Sequence, residues 1–283
     1  MQWKNYVYAN GGFVPPDQAC VSIFDSGFLF GDGVFETMRV YGGKIFRFDQ
    51  HMWRLFDGLH HLRIEPNVSA EKIGEIFRAL CEKEVVHGVA RIYVTRGLPD
   101  LAGPVDGVDE PTVVAWAWPQ PLDPTPAPLR VMTSTVRVDS QSLLTRIKSA
   151  NRLPFILAHQ EAKLAGVDDA LLLNEHGRVT ELTAYNIFAV VGGRVFTPPA
   201  SDGALPGITR AVVLELSQQL GIPAEEMELK PSMLAEAQEI FATNSVREIV
   251  PVTEMYGREL WCHSIAEKLT KAFRHLVYDE LAL

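Results

Sequence analysis

TRIKSANRLPFIL, residues 145–157, sets one lysine, Lys148, between a polar segment and an apolar run that continues helix-like through AHQEAKLAG. Lysine is a flexible point charge whose pKa falls readily on burial, which suits it to covalent chemistry with carbonyl compounds. An arbitrary lysine is solvated, so this window alone does not separate a surface charge from a reactive amine. Its surroundings have to decide.

Upstream, residues 119–128 (PQPLDPTPAP) hold five prolines in ten positions. Proline neither donates to a sheet nor continues a helix, so the stretch reads as a stiff linker. It separates an N-terminal α/β domain, 1–118, from a C-terminal α/β domain, 129–283, which carries Lys148. The first domain opens with a hairpin turned by Asn10-Gly11, and VFETMRVY and KIFRF form a second around Gly42-Gly43. Asp49 is read as the N-cap of a helix whose buried face is Met52, Leu55, Phe56, Leu59 and Leu62. Ser69 caps another, with Ile73, Ile76, Phe77 and Leu80 inward. ARIYVTR and TVVAWAW are strands. In the second domain LRVMTSTVRV is a strand and RLPFILAHQEAKLAG a helix, followed by the strands DALLLN, RVTEL, NIFAVV and RVFTP. LPGITRAVVLELSQQLG is then a helix, EIFATNS and REIVPV are strands, and an amphipathic helix ends the chain. Such mixing implies an α+β protein with two lobes.

With 283 residues, 47% of them hydrophobic and 22% charged, the chain has enough apolar material for two packed cores. Its net charge of −9, without a basic block, argues against nucleic acid as a partner. No stretch of about 18 apolar residues occurs and MQWKNYVYANGG lacks an apolar signal core, so neither a membrane span nor a signal peptide is expected. Cys20, Cys81 and Cys262 stand singly and no metal-ligand spacing occurs. Reduced thiols in a cytoplasmic protein without a metal site are the expectation.

Several residues can carry chemistry. After Pro206-Gly207 the helix starts with unpaired amides at Ile208 and Thr209, and such an end attracts anions, although most helix ends bind only water or a cap. Thr243, Asn244 and Ser245 follow an apolar strand, where hydroxyls and amides make either a turn or an anion cradle. Glu181 lies in an alternating strand; a carboxylate there usually faces solvent, and facing inward it needs a cation such as a protonated heterocycle nitrogen. Arg47 and Arg91 sit on strands, where a guanidinium fork either meets a surface carboxylate or clamps a bound one. An amine, an inward acid, two anion cradles and strand arginines without a metal motif are what pyridoxal phosphate requires.

The order of the segments resembles a known family. FGDGVFETMRVY, FRFDQHMWRL, IKSANRL, RVTELTAYNIF, TPPASDGALPGITR and EIFATNSVREIVPV are similar, in sequence, to the motifs of fold-type IV pyridoxal-phosphate enzymes. These are the branched-chain and D-amino-acid aminotransferases and the 4-amino-4-deoxychorismate lyases, and the resemblance covers nearly the whole chain. It implies an α+β, two-domain fold with the cofactor at the domain interface. By the resemblance Lys148 forms the Schiff base, Glu181 pairs with the pyridine nitrogen, and Asn186 stands beside the cofactor. Arg47, the amides of Ile208 and Thr209, and the Ser245 hydroxyl would form the phosphate cup, with Thr243 a further cofactor-binding candidate. It also implies a homodimer in which Phe28 and Phe30 act across the interface. Thr37, Arg91, Arg96 and Val246 are the further substrate candidates, and residues 97–111 and 137–147 are read as pocket walls.

Within the family the motifs diverge. LPGITR is similar to the amino-acid aminotransferases, whereas F-E-T-x-R, K-x-x-N-R-L and T-N-S resemble the lyases. Val89 stands where branched-chain enzymes have tyrosine, with only Arg91 matching. VTRGLPDLAG lacks the second arginine and the histidine of the D-amino-acid enzymes. The expected activity is amino transfer between an amino acid and a 2-oxo acid; the alternative is elimination of pyruvate from aminodeoxychorismate.

Overall fold

A computed structural model describes residues 6–81, 85–98 and 110–283. Two units are distinguished: Met1–Leu122 with Ile147–Asn151 and Glu280–Leu283, and Asp123–Arg146 with Arg152–Asp279.

In the first unit, Asn10 and Gly11 both take positive φ, 44° and 93°, as does the Gly42-Gly43 pair. That backbone matches the twist of a tight hairpin. The turns join β1 (Val7–Ala9) to β2 (Gly12–Val14), and, after the five-residue α1 (Ser26–Phe30), β3 (Gly33–Tyr41) to β4 (Lys44–Ile45). Helices α2 (Phe48–Leu62) and α3 (Ala70–Cys81) precede β5 (Gly88–Thr95) and β6 (Thr112–Pro119). The six strands form an antiparallel sheet in the order β2-β1-β6-β5-β3-β4. Side chains alternate across it. Val34, Met38, Val40, Ala90, Ile92 and Val94 enter one core with Leu55, Leu59, Ile73, Ile76 and Phe77 of α2 and α3.

Two local expectations change and one element was not foreseen. Asp49 is not the cap: α2 begins at Phe48 behind Arg47, which takes φ 54°, and Asp49 falls in the first turn, where its charge complements the helix dipole. Helix α1 escapes a reading of the sequence; Asp25 caps it by accepting from Gly27 N at 2.7 Å, but five residues give no periodicity to detect. Lys148 groups with the first unit, although its place after the proline-rich linker assigns it to the second. The physical reason is backbone pairing: Phe35 N donates to Lys148 O at 3.0 Å and Ala150 N to Gly33 O at 2.8 Å, around a bridge between Val34 and Ser149.

The second unit contains β7 (Leu129–Val138), α4 (Leu143–Arg146), α5 (Leu153–Leu164), β8 (Asp169–Asn174), β9 (Val179–Leu182), β10 (Asn186–Val191) and β11 (Arg194–Thr197). It continues with α6 (Ile208–Gln219), β12 (Ala224–Glu226), α7 (Pro231–Glu236), β13 (Glu239–Asn244), β14 (Glu248–Met255), β15 (Arg258–Glu259) and α8 (Ser264–Leu281), whose last residues, Glu280 and Leu281, are grouped with the first unit. The mixed sheet runs β12-β11-β10-β13-β14-β7-β8-β9, with β15 on β14. Strand β8 is buried on both faces, which is why DALLLN reads as a continuous apolar run: Ala170 and Leu172 pack with Phe155 and Ala158 of α5, and Leu171 and Leu173 with Leu182 and Ile187. Phe188 and Phe241 stack at 4.9 Å between the adjacent strands β10 and β13.

Gly88 is fixed by crowding, since a Cβ there would lie 2.2 Å from Val85 Cγ1 and 2.3 Å from Trp118 O. Gly88→Ala is expected to cost about 1–3 kcal/mol through overpacking, read as a lowered thermal unfolding midpoint.

Candidate active site

Lys148 is placed by its neighbours in the chain. Ile147 turns into the first unit's core, where its Cβ lies close to the position a Cβ on Gly58 would take, at 3.7 Å. Lys148 Nζ instead lies 4.7 Å from the centre of the Phe35 ring. Phe35 projects from the face of β3 opposite the core, in a ladder with Tyr93 at 4.9 Å and, beyond it, Trp116. Arg91 lies over the Phe35 and Tyr93 rings, at 5.3 and 5.8 Å, and its Nε donates to Thr37 Oγ1 at 3.0 Å. Among the described residues Arg91 has no carboxylate partner. Two of the expected substrate residues, Thr37 and Arg91, therefore stand together on the face that carries the lysine.

Arg96 is differently employed. Its Nε and Nη2 donate to Asp32 at 2.6 and 3.3 Å, and its other hydrogen bonds go to the carbonyls of Leu62 and Arg63 at the end of α2. A guanidinium so engaged ties the helix end to β5 and is a poor choice for capturing a substrate carboxylate. Arg47 is paired with Glu280 at 2.7 Å. Phe28 and Phe30 on α1 are 71% and 66% exposed. Of the expected pocket walls, residues 99–109 lie outside the described residues.

Sequence reasoning missed a buried ionic cluster beneath β3. Glu36, fully buried, accepts from Arg54 Nε at 2.7 Å and Nη2 at 2.8 Å, while His51 Nδ1 lies 2.8 Å from its second oxygen. The signals were legible. Glu36 shares its parity with Val34 and Met38, so it had to face the core, and His51 and Arg54, three apart on α2, share a helix face. Burial works to raise the Glu36 pKa, but the Arg54 charge and His51 outweigh it and hold the carboxyl well below the usual range. Burial, reinforced by the Arg54 and Lys148 charges and opposed by Glu36, holds His51 below its ordinary value. His51 is then neutral at pH 7, and its Nδ1 carries the hydrogen that Glu36 accepts.

In the second unit, Glu181 lies buried on β9, and Asn186 opens β10 with Nδ2 donating to Glu181 Oε2 at 3.4 Å and to Leu205 O at 2.8 Å. Asn186 faces Thr243 in the register of β10 and β13. Gly207 is the N-cap of α6 without a side-chain cap, so the amides of Ile208 and Thr209 open the helix without intrahelical acceptors. Asn244 Oδ1 accepts from Val246 N at 3.0 Å and Arg247 N at 2.7 Å, which shapes the turn bearing Ser245 and Val246. Asn186 and Thr243 are thus carried by the adjoining strands β10 and β13, Ile208 and Thr209 by the start of α6, and Glu181 by β9, within reach of the Asn186 amide.

These residues fit a phosphorylated, basic heterocycle on two observations. Thr243 Oγ1 is buried with no hydrogen-bond partner among the described residues. A Cβ on Gly207 would lie 1.9 Å from Asn186 Oδ1, so only glycine lets the helix amides come this close to the Asn186 amide. A buried acid, donor amides and an unsatisfied hydroxyl are complementary to a protonated ring nitrogen and a phosphate. No group of His, Cys, Asp or Glu suited to a metal occurs among the described residues.

Comparison with known proteins agrees with this chemistry. A family profile described as amino-transferase class IV matches residues 33–255. A Methanocaldococcus jannaschii protein to which branched-chain-amino-acid aminotransferase activity is ascribed is 38% identical over 286 residues, 97% of this chain and 99% of its own. The aminodeoxychorismate lyase of Bacillus subtilis is 32% identical over 254 residues, 88% of this chain and 86% of its own. The structure of the T.th. branched-chain amino acid aminotransferase with pyridoxamine 5'-phosphate superimposes with a TM-score of 0.91 at 26% identity, covering 98% of this chain and 95% of that one.

The Glu36 cluster makes the fold acid-sensitive. Because the carboxyl titrates lower in the folded chain than its ordinary 4.5, its contribution is complete above that pH and is lost as pH falls below it. Glu36→Gln is expected to cost about 3–5 kcal/mol at pH 7 and to flatten the dependence of unfolding free energy on pH below 4.5, measured by denaturant titration across pH.

Proposed function

The chain belongs to the class IV aminotransferase family, pyridoxal-phosphate enzymes of fold-type IV with a two-domain α+β fold, and from that premise we propose which residues carry its amino transfer. Lys148 is the cofactor lysine, and the observation that carries this reading is the backbone pairing of Ile147–Asn151 with β3, which sends Ile147 inward and Lys148 over the Phe35 ring. Glu181 would hold the protonated ring nitrogen, with Asn186 keeping the carboxylate oriented. The amides of Ile208 and Thr209, together with Thr243 and Ser245, would receive the phosphate. For the arginine of that cup we favour Arg54 over Arg47. Arg54 is buried on α2, which packs against the strand that pairs with Lys148, whereas Arg47 answers Glu280.

Bound pyridoxal phosphate supplies an electron sink for the bond broken at the amino acid's α-carbon. Lys148 Nζ, as a neutral amine, would take the α-proton and deliver it two bonds away, across the amino nitrogen, a transfer that general-base catalysis by a positioned amine accelerates by about 10²–10⁴. Glu181 keeps the ring nitrogen charged. Arg91, braced by Thr37 and two aromatic rings, receives a substrate carboxylate as a planar fork, with the turn at Ser245 and Val246 beside the cofactor cup. An amino acid and a 2-oxo acid thereby use the same residues in alternation. The FETMR, KSANRL and TNS strings keep the lyase as the second reading, supported by the Bacillus subtilis relative.

The reading includes a homodimer and a cytoplasmic location. Val21, Ile23, Phe24, Phe28, Leu29 and Phe30 are exposed apolar side chains within one ten-residue stretch, and Leu153, Ile156 and Leu157 are exposed on α5. Patches of that kind mark association surfaces. The three free thiols suit a reducing compartment.

The function is tested by mixing the yellow holoenzyme with glutamate, alanine or leucine of either hand. Lasting conversion to the pyridoxamine form is the expected result; unchanged cofactor with p-aminobenzoate released from aminodeoxychorismate would replace amino transfer by the lyase reading. Lys148→Ala is expected to remove the borohydride-reducible, lysine-linked chromophore and to lower turnover by at least about 10²-fold while the chain stays folded by circular dichroism. Phe28→Asp is expected to shift sedimentation toward the monomer.

A further inference from the structure

Glu181 and Asn186 lie on different strands, β9 and β10, and the residues between those strands, Thr183, Ala184 and Tyr185, decide how the two side chains face each other. Their own contact is weak, since 3.4 Å is long for a hydrogen bond from an amide to a carboxylate. The connection is held from outside. The ladder between β8 and β9 ends with Leu171 opposite Leu182, and the Thr183 amide lies beyond it. Asp169, buried at the start of β8, continues the pairing with its side chain. One oxygen, Oδ1, accepts from Thr183 N at 3.2 Å, from Thr183 Oγ1 at 2.5 Å and from Ala170 N at 2.7 Å. On the other side of the same residue Arg152 Nη2 donates to Thr183 O at 2.7 Å, and its guanidinium lies 3.6 Å from the centre of the Phe155 ring. Asn244 Nδ2 donates to Ala184 O at 3.1 Å, and Leu182 N closes the loop on Tyr185 O at 2.8 Å. Thr183 is thus gripped by an acid at its amide and hydroxyl and by a base at its carbonyl, and charge-assisted bonds are the strong ones. All of these residues belong to the second unit.

We propose that Asp169 and Thr183 are positioning residues that set the Glu181 carboxylate, through the 183–185 connection, for the ring nitrogen of pyridoxal phosphate. The inference rests on the assignment of Glu181 to that nitrogen. A buried carboxylate is an expensive brace for a loop that apolar packing could hold. Here its bonds converge on the residue two positions beyond Glu181 and three before Asn186, where a small shift moves both side chains. Electrostatics alone makes a different forecast. If Asp169 acted through its charge on a cationic ring, Asp169→Asn would forfeit the effect as fully as Asp169→Ala. Positioning needs only the acceptor oxygen, which asparagine retains.

The readout is the ratio of affinities for pyridoxal phosphate and for its 1-deaza analogue, in which C–H replaces the ring nitrogen. It is measured by titrating cofactor-freed full-length protein and following the lysine-linked chromophore. A general loss of stability weakens both ligands together and cancels in the ratio. Asp169→Ala is expected to lower the ratio about 10-fold, the scale of losses when a supporting hydrogen bond is removed behind a ligand-binding group. Asp169→Asn is expected to stay within about 2-fold of the unaltered chain, because the bonds to Thr183 can still form. Thr183→Val removes only the hydroxyl bond and serves where Asp169→Ala does not fold; it is expected to lower the ratio about 3-fold, with Thr183→Ser restoring most of it. An unchanged ratio in Thr183→Val, or equal falls in Asp169→Ala and Asp169→Asn, overturns the positioning role. Glu181→Gln distinguishes that failure from failure of the underlying assignment: its ratio is expected to fall at least as far as that of Asp169→Ala, and if it is unchanged, the ring nitrogen is held elsewhere and both statements fall.

Discussion

The pairing of residues 147–151 with the edge of β3 is the constraint on which the candidate site depends. Two backbone hydrogen bonds, from Phe35 N to Lys148 O and from Ala150 N to Gly33 O, draw a five-residue segment out of the second half of the chain into the first unit. Strand alternation does the rest: Ile147 fills the core beside α2, and Lys148 is delivered to the opposite face, over Phe35. A lysine fixed by its own main chain in this way needs no side-chain partner to hold its Cα in place.

Charge burial governs both units in the same manner. An uncompensated ion in a protein interior is expensive, so every buried carboxylate at the site is answered. Glu36 is answered by Arg54 and His51 with bonds of 2.7–2.8 Å. Glu181 receives the Asn186 amide, a neutral donor, at the longer distance of 3.4 Å.

Much of the architecture was legible because its signals are local. Asn10-Gly11 and Gly42-Gly43 gave their hairpins, Ser69 caps α3 by accepting from Lys72 N at 3.2 Å, and Ile73, Ile76, Phe77 and Leu80 are buried as their spacing required. Signals that were weak or misleading failed for identifiable reasons. Asp49 has the chemistry of a cap, yet Arg47 in the left-handed region starts the helix one residue earlier. The Tyr256-Gly257 turn and the short strand β15 after it carry no apolar alternation to read. At the site, residue type offered Lys148, Glu181 and Thr243 as candidates and the family resemblance added Asn186, but residue type could not distinguish one arginine from another. Arg47, Arg91, Arg96 and Arg54 differ only in what surrounds them.

By itself, then, the sequence determined the alternation of strands and helices, the positions of the turns, the two-lobed α+β class and the set of residues able to do amine and anion chemistry. These depend on side-chain periodicity and residue type, which act over a few positions. Tertiary structure alone decided which unit holds Lys148, which arginine is spent on Asp32 or Glu280 and which on Glu36, and that Thr243 keeps a buried hydroxyl without a partner among the described residues. The reason is physical: a backbone bridge between distant parts of the chain and a charge's choice of counter-ion are fixed by through-space geometry and desolvation, neither of which leaves a mark on neighbouring positions of the chain.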